Sequence, residues 1–248
     1  MSRPGFFFWL LILTLALTSL SSAETAEENP WKWSGDLGFG FSKTTGNSDT
    51  TNLSLTFSSK KKLSTKIDWK NAASFLYGRN SGVKNAESLF LGSRIEWNHQ
   101  ERIFSFYEMQ YLTDEFKDYN YRISPAAGVG YKAYSSDSSL LSLLAGVSAV
   151  SIKYESIDDT ESYAALKLGN QLSWKLTPTA EIKQALDFNM DFSNTERFFL
   201  HFDVGISAAI NENWSLKFSV LDNFDNKPVS PGIKKNDAAF IAGVTMKF

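Results

Sequence analysis

The sequence has no cysteine. Exported domains of modest size often rely on disulfides, so this fold must be held together by other means. There are only two histidines, His99 and His201, and neither stands in a Cys/His metal spacing. No glycine-rich loop of the phosphate-cradling kind occurs. Charge of one sign is also lacking: 25 Lys and Arg stand against 27 Asp and Glu, for a net charge of −2. That balance excludes the basic footprint of a nucleic-acid binder. Beyond residue 23 no apolar run approaches the roughly 20 residues that a membrane-spanning helix needs. What the chain does have is aromatics, 15% of all residues, with 20 Phe the largest share.

The first residues read as a secretory signal peptide. Arg3 supplies the positive charge, residues 6–17 the apolar stretch, and Ser21 and Ala23 the small residues before a cut. No Cys follows the apolar stretch, which excludes a lipoprotein. The expected organisation is a signal peptide over 1–23, a flexible periplasmic lead-in over 24–32 and one domain over 33–248. Losing Arg3 takes the charge from −2 to −3.

The last eleven residues, AAFIAGVTMKF, place Ala238, Phe240, Ala242, Val244, Met246 and Phe248 on one face. Ala239, Ile241, Gly243, Thr245 and Lys247 fall on the other. Period 2 predicts a β-strand with one apolar side. A lipid-facing strand gains from a terminal aromatic at headgroup depth, whereas a soluble one gains little. Eleven more strands emerge from the same test. Two of them, about 33–42 and 51–58, form an opening hairpin around a turn at 45–49. The others run about 64–77, 86–97, 103–113, 120–133, 140–154, 162–176, 181–192, 198–210 and 214–222. Residues 140–154 are apolar on both faces, so their phase stays open. Twelve is an even count, as single-chain bacterial barrels require. Connections after even strands are expected to be short and periplasmic, at 59–63, 98–102, 134–139, 177–180 and 211–213. Those after odd strands should lie outside, among them 78–85, 114–119, 155–161 and 223–235.

Alternation alone does not separate a barrel from a soluble sandwich. The aromatics do, because they gather near strand ends: Trp33, Tyr77, Trp97, Tyr107, Tyr111, Tyr121, Tyr131, Trp174, Trp214 and Phe248. The expected fold is all-β, a closed antiparallel up-and-down transmembrane β-barrel of about twelve strands in the outer membrane of a Gram-negative cell. It is expected to be a monomer.

The stretch WSGDLGFGFSKTTGNSDTT, residues 33–51, resembles the opening hairpin of the YdiY-like family of salt-induced outer-membrane proteins. Trp33, Gly35, Gly38, Ser42 and the turn Thr45-Gly46-Asn47-Ser48-Asp49-Thr50 carry the likeness, which extends over the mature chain. The resemblance implies an outer-membrane barrel and brings no catalytic residue. A strand ending in Phe248 likewise resembles the signal that outer-membrane assembly machinery reads.

Residues on the polar face carry both signs. The lumen-facing candidates are Asp36, Arg94, Glu96, Glu108, Arg122, Lys132, Lys167, Asp187, His201 and Asp203. Facing water they would set ion selectivity; in a narrow barrel they would pair and fill the interior. His201, two residues from Asp203, could belong to a Ser–His–Asp site, yet it is assigned to the lumen, where a lipid does not reach. His99 reads as a solvated turn residue. Asp158, Asp159 and Glu161 could hold Ca²⁺ on an outer loop; a solvated acidic loop is the simpler reading. No cofactor, catalytic residue or metal site is expected, and outer-membrane lipids and lipopolysaccharide are the expected partners. The reading is a non-enzymatic envelope barrel with a structural or narrow-channel role, linked through the resemblance to salt or envelope stress. A small-solute pore and a lipid-acting enzyme stay open as alternatives.

Overall fold

In the computed structural model, residues 32–44 and 50–248 are described. The signal segment, most of the lead-in and the turn at 45–49 lie outside them. Twelve strands follow in order: β1 (Ser34–Thr44), β2 (Thr50–Ser64), β3 (Ile67–Asn80), β4 (Val83–Asn98), β5 (Ile103–Asp114), β6 (Tyr119–Ser135), β7 (Ser139–Tyr154), β8 (Thr160–Lys175), β9 (Ala180–Asp191), β10 (Phe198–Ala209), β11 (Trp214–Asp225) and β12 (Asn236–Lys247). Each pairs antiparallel with the next, and β12 returns to β1, so the sheet closes into a barrel. A 3₁₀ turn, Glu115–Lys117, stands between β5 and β6. No helix of the described residues is long and apolar enough to cross a membrane.

Alternation sorts the side chains. Leu37, Phe39, Phe41, Leu91, Val129, Val147, Ile206 and Phe218 are exposed on the outer wall, and Phe240 is 84% exposed. Soluble monomers rarely show so continuous an apolar surface. The rim where β1 begins and β12 ends, here the lower rim, carries exposed Trp33, Trp97, Trp214 and Phe248. There the Trp33 and Trp69 rings lie 5.1 Å apart and Phe248 stacks on Phe57 at 6.1 Å. The shortest strand has 11 residues and the longest 17. Tilted transmembrane strands need about 9–11, so several project beyond such a layer.

Two expectations are corrected, and one open phase is assigned. The connection at 78–85 is a two-residue turn: β3 runs to Asn80 and β4 starts at Val83, with Ser81 at φ 51° and Gly82 at φ 79°. Two positive φ values match the twist of a tight hairpin, so the strands continue to its edge. Lys60, Lys61 and Lys62 are not in a turn but in β2, opposite Lys70, Trp69 and Asp68; Lys61 lies 5.5 Å from the Trp33 ring centre. Strand β7 now has a phase. Leu144, Val150, Ile152 and Tyr154 are buried inside, while Leu143 and Val147 are exposed outside. It reads apolar on both faces because its inner face belongs to two apolar clusters. One holds Phe104, Phe106, Ala126 and Leu144; the other holds Leu112, Tyr119, Val150, Ile152, Tyr154, Ala165 and Phe199.

The closing seam differs from its neighbours. The β1–β2 ladder runs from Ser34↔Lys60 to Thr44↔Thr50, and β11–β12 from Trp214↔Met246 to Phe224↔Asn236. The β1–β12 ladder holds four pairs, Asp36↔Lys247 to Phe39↔Val244. Gly35 and Phe248 exchange backbone hydrogen bonds below it, at 3.0 and 3.1 Å. Above Phe39 no further β1–β12 pairs form among the described residues.

Candidate functional site

The interior is crossed by a chain of alternating charges. Arg94 on β4 stands opposite Glu108 on β5, and its Nε donates to Glu108 Oε2 at 2.6 Å. Glu108 Oε1 receives Lys167 Nζ of β8 at 2.7 Å and Gln110 Nε2 at 2.7 Å. Strands β5 and β8 are not neighbours, so this contact spans the lumen. Lys167, 1% exposed, also reaches Asp187 of β9 at 2.9 Å. At the other end Lys70 of β3 meets Glu96 at 2.7 Å, and Glu96 lies 3.9 Å from Arg94. The order Lys70, Glu96, Arg94, Glu108, Lys167, Asp187 alternates in sign and sums to zero. Mutual pairing is what makes burial of such ions tolerable.

Aromatic rings pack beneath this chain. The Arg94 guanidinium lies 5.4 Å from the Phe106 ring centre. Phe104 and Phe106 stand opposite Gly130 and Gly128 of β6. A Cβ at Gly130 would run into the Phe104 ring, so glycine there makes the room the ring occupies. Lys132 Nζ lies 6.0 Å from that ring's centre and donates to Asn98 Oδ1 at 3.0 Å. Asp36 accepts from Ser58 at 3.0 Å and from Lys183 of β9 at 3.4 Å, a second contact across the barrel.

Residues at the upper rim bond across it. Asp114 accepts from the Phe116 and Lys117 backbone N–H groups at 3.1 and 3.2 Å and so turns the chain after β5 inward. Lys117, 4% exposed, then reaches Asp237 of β12 at 3.1 Å and the Asn223 carbonyl at 3.2 Å. The Tyr119 hydroxyl donates to Asp225 of β11. His201 Nδ1 lies 2.7 Å from Asn223 Oδ1, and its ring stacks on Phe90 at 5.8 Å. Asp203 stands opposite Leu221 and Ala185, not against His201. Arg122 lies between the Phe199 and Tyr119 rings, 4.0 and 5.8 Å from their centres.

A family model described as a protein of unknown function, DUF481, matches residues 37–248. The chain belongs to the DUF481 family. No curated protein matches it. Among solved structures, the KdgM porin is 10% identical with a TM-score of 0.46, over 87% of this chain and 99% of that one. An outer membrane channel from Pseudomonas putida F1 is 9% identical with a TM-score of 0.49, over 90% and 99%. The NanC porin is 7% identical with a TM-score of 0.45, over 86% and 96%.

In this DUF481 barrel the acidic outer-loop residues are each engaged separately. Glu161 binds Arg197 at 2.8 Å and accepts from the Tyr154 hydroxyl at 2.9 Å. Asp159 accepts from the Thr160 backbone at 2.8 Å. Asp158 pairs with Lys153, whose ammonium holds its carboxyl below the ordinary range. No group of three metal-binding side chains gathers among the described residues. Reading residues alone missed Phe104, Phe106, Lys117, Tyr119 and Asp225. The two Phe were within reach, since the period that puts Glu108 and Gln110 inside puts them there too. Lys117 was not, because a loop's inward fold leaves no periodic trace, and Asp225 lies beyond the strand end that periodicity gave at 222.

Proposed function

We propose that the protein is a monomeric, non-enzymatic outer-membrane barrel whose lumen is closed at rest, with a structural role in the envelope. The segment 1–23 exports it, the lower rim faces the periplasm, and lipids and lipopolysaccharide meet the outer wall. The β12 strand ending in Phe248 engages the assembly machinery. The observation that carries this reading is the charge chain from Lys70 to Asp187, which crosses the lumen from β3 to β9. An ion entering it would have to displace partners already held at 2.7–2.9 Å. The crossings of Lys117 and Tyr119 at the upper rim add a second obstruction. His201 is held inside by Asn223 and Phe90, out of reach of a lipid ester, which supports the non-enzymatic reading.

The test is planar-bilayer recording on the purified barrel. The expected outcome is no stepwise current at several voltages in either polarity. Reproducible unitary steps from the wild-type chain would overturn the closed-lumen reading in favour of a small-solute pore.

A further inference from the structure

On the outer wall two rows of side chains run across β9, β10, β11 and β12, one residue from each strand. Ile182, Ile206, Phe218 and Ala242 form one row. Gln184, Val204, Val220 and Phe240 form the other. Directly opposite positions share a face, so all eight point away from the lumen, as Val204 does. A groove of about 370 Å³ runs along them and is lined by all but Gln184, which stands beside Val204 at the β9 end. Gly205, Ser219 and Ile241, which lie between the rows, complete the lining. Strands lie about 4.8 Å apart, so three spacings give a groove about 14 Å long, the span of an extended acyl chain of about a dozen carbons.

The two ends of the groove differ. At the β9 end the Gln184 Nε2 donates to Asn170 Oδ1 of β8 at 2.8 Å. Asn170 faces outward too, in phase with Leu168 and Leu172. Among the described residues no acceptor of the chain meets its amide N–H groups. Against hydrocarbon an unmet N–H is costly, so this end calls for an acceptor. At the β12 end Phe240 is 84% exposed and has no β1 residue paired with it. The groove also slopes. Gln184 stands four positions from Ala180, the lower end of β9, and Phe240 seven from Lys247, the lower end of β12. The polar end is therefore the one nearer the lower rim.

We infer that this groove binds one acyl chain of a phospholipid from the leaflet at the lower rim. The ester carbonyl at the head of the chain is an acceptor, and it receives the Asn170 amide. From there the chain rises between the two rows and ends against Phe240 beside the seam. Filling the groove restores the dispersion contacts that an empty one forfeits, so this lipid is held while those around it exchange. The inference rests on the outer wall meeting lipid and is independent of whether the lumen conducts.

Native mass spectrometry on the barrel released from phospholipid nanodiscs should show one phospholipid still bound after the surrounding lipid has gone. Val204→Phe, which fills the middle of the groove, should abolish that adduct. Asn170→Leu should reduce it about fivefold, the weight of one neutral hydrogen bond. Leu91→Phe, on the exposed wall of β4 across the barrel, should leave it unchanged. No adduct on the wild type, one undiminished in either groove variant, or one equally lost in Leu91→Phe overturns the site. Both groove substitutions keep the wall apolar, and heat-modifiable gel migration reports whether each folds. Should Val204→Phe not fold, Asn170→Leu decides alone. A separate measurement isolates the wall: phospholipids brominated on their acyl chains should quench the tryptophan fluorescence of the barrel. Quenching without an adduct sinks the groove alone, whereas no quenching sinks the reading of the wall as lipid-facing.

Discussion

Glu108 is the side chain on which the interior turns, because among the described residues it alone is a carboxylate paired with two buried cations, Arg94 and Lys167. Gln in its place keeps the shape and one acceptor but removes the charge between them. Breaking a buried ion pair by deleting one partner costs roughly 3–5 kcal/mol, since the remaining charge stays buried. Glu108→Gln is therefore expected to lower the unfolding free energy in lipid vesicles by that order. Lys70→Ala removes a half-exposed end of the same chain and leaves the buried Glu96 to Arg94 alone, 3.9 Å away, so it should cost less than Glu108→Gln. Equal losses would show that the chain is not a buried network. The residue types in this chain were legible in the sequence, as charges on the polar face. Their partners were not, because Glu108 and Lys167 are 59 positions apart and only barrel closure brings them together.

Strand β10 separates inside from outside most plainly. Val204 faces out opposite Val220, and Asp203 faces in opposite Leu221. Adjacent positions on one strand point to opposite faces, so the same new charge should behave differently at each. Val204→Lys would put an ammonium against hydrocarbon, at roughly 2–4 kcal/mol near mid-membrane. Asp203→Lys would meet the polar interior and should cost less. Reversible unfolding of both variants in vesicles reads the difference, and equal costs would mean that the outer wall does not meet lipid. Strands with one polar face, such as β10 and β12, could be read from period 2 alone. Strand β7 could not, since Leu144, Val150 and Ile152 pack inside a barrel whose interior is part apolar. The 78–85 connection misled for a different reason: its polar residues look like a loop, while the φ values of Ser81 and Gly82 let the ladder run to the tip.

The molecule as a whole was foreseeable in strand number and closure, and unforeseeable in how it is filled. Bulky inward side chains come from β4 to β8, among them Arg94, Phe104, Phe106, Arg122 and Lys167. In the middle of β1 and β2 the inward positions are small: Gly38, Gly40, Ser54 and Thr56. The side poor in bulk is also the side of the short seam, and that has a consequence in time. Every other ladder joins strands adjacent along the chain, whereas β1–β12 joins Asp36 to Lys247. Contacts of such long sequence separation form late, after the entropy of closing the loop has been met. With four residue pairs holding it, the seam is the last part of the ladder to zip and the first to fray. Hydrogen exchange on the folded barrel should find the amides of Phe41, Ser42, Ile241 and Ala242 opening well ahead of those at the β5–β6 pairing. Uniform protection around the ring would mean that the wall has no weakest hour, and that opening begins at the loops instead.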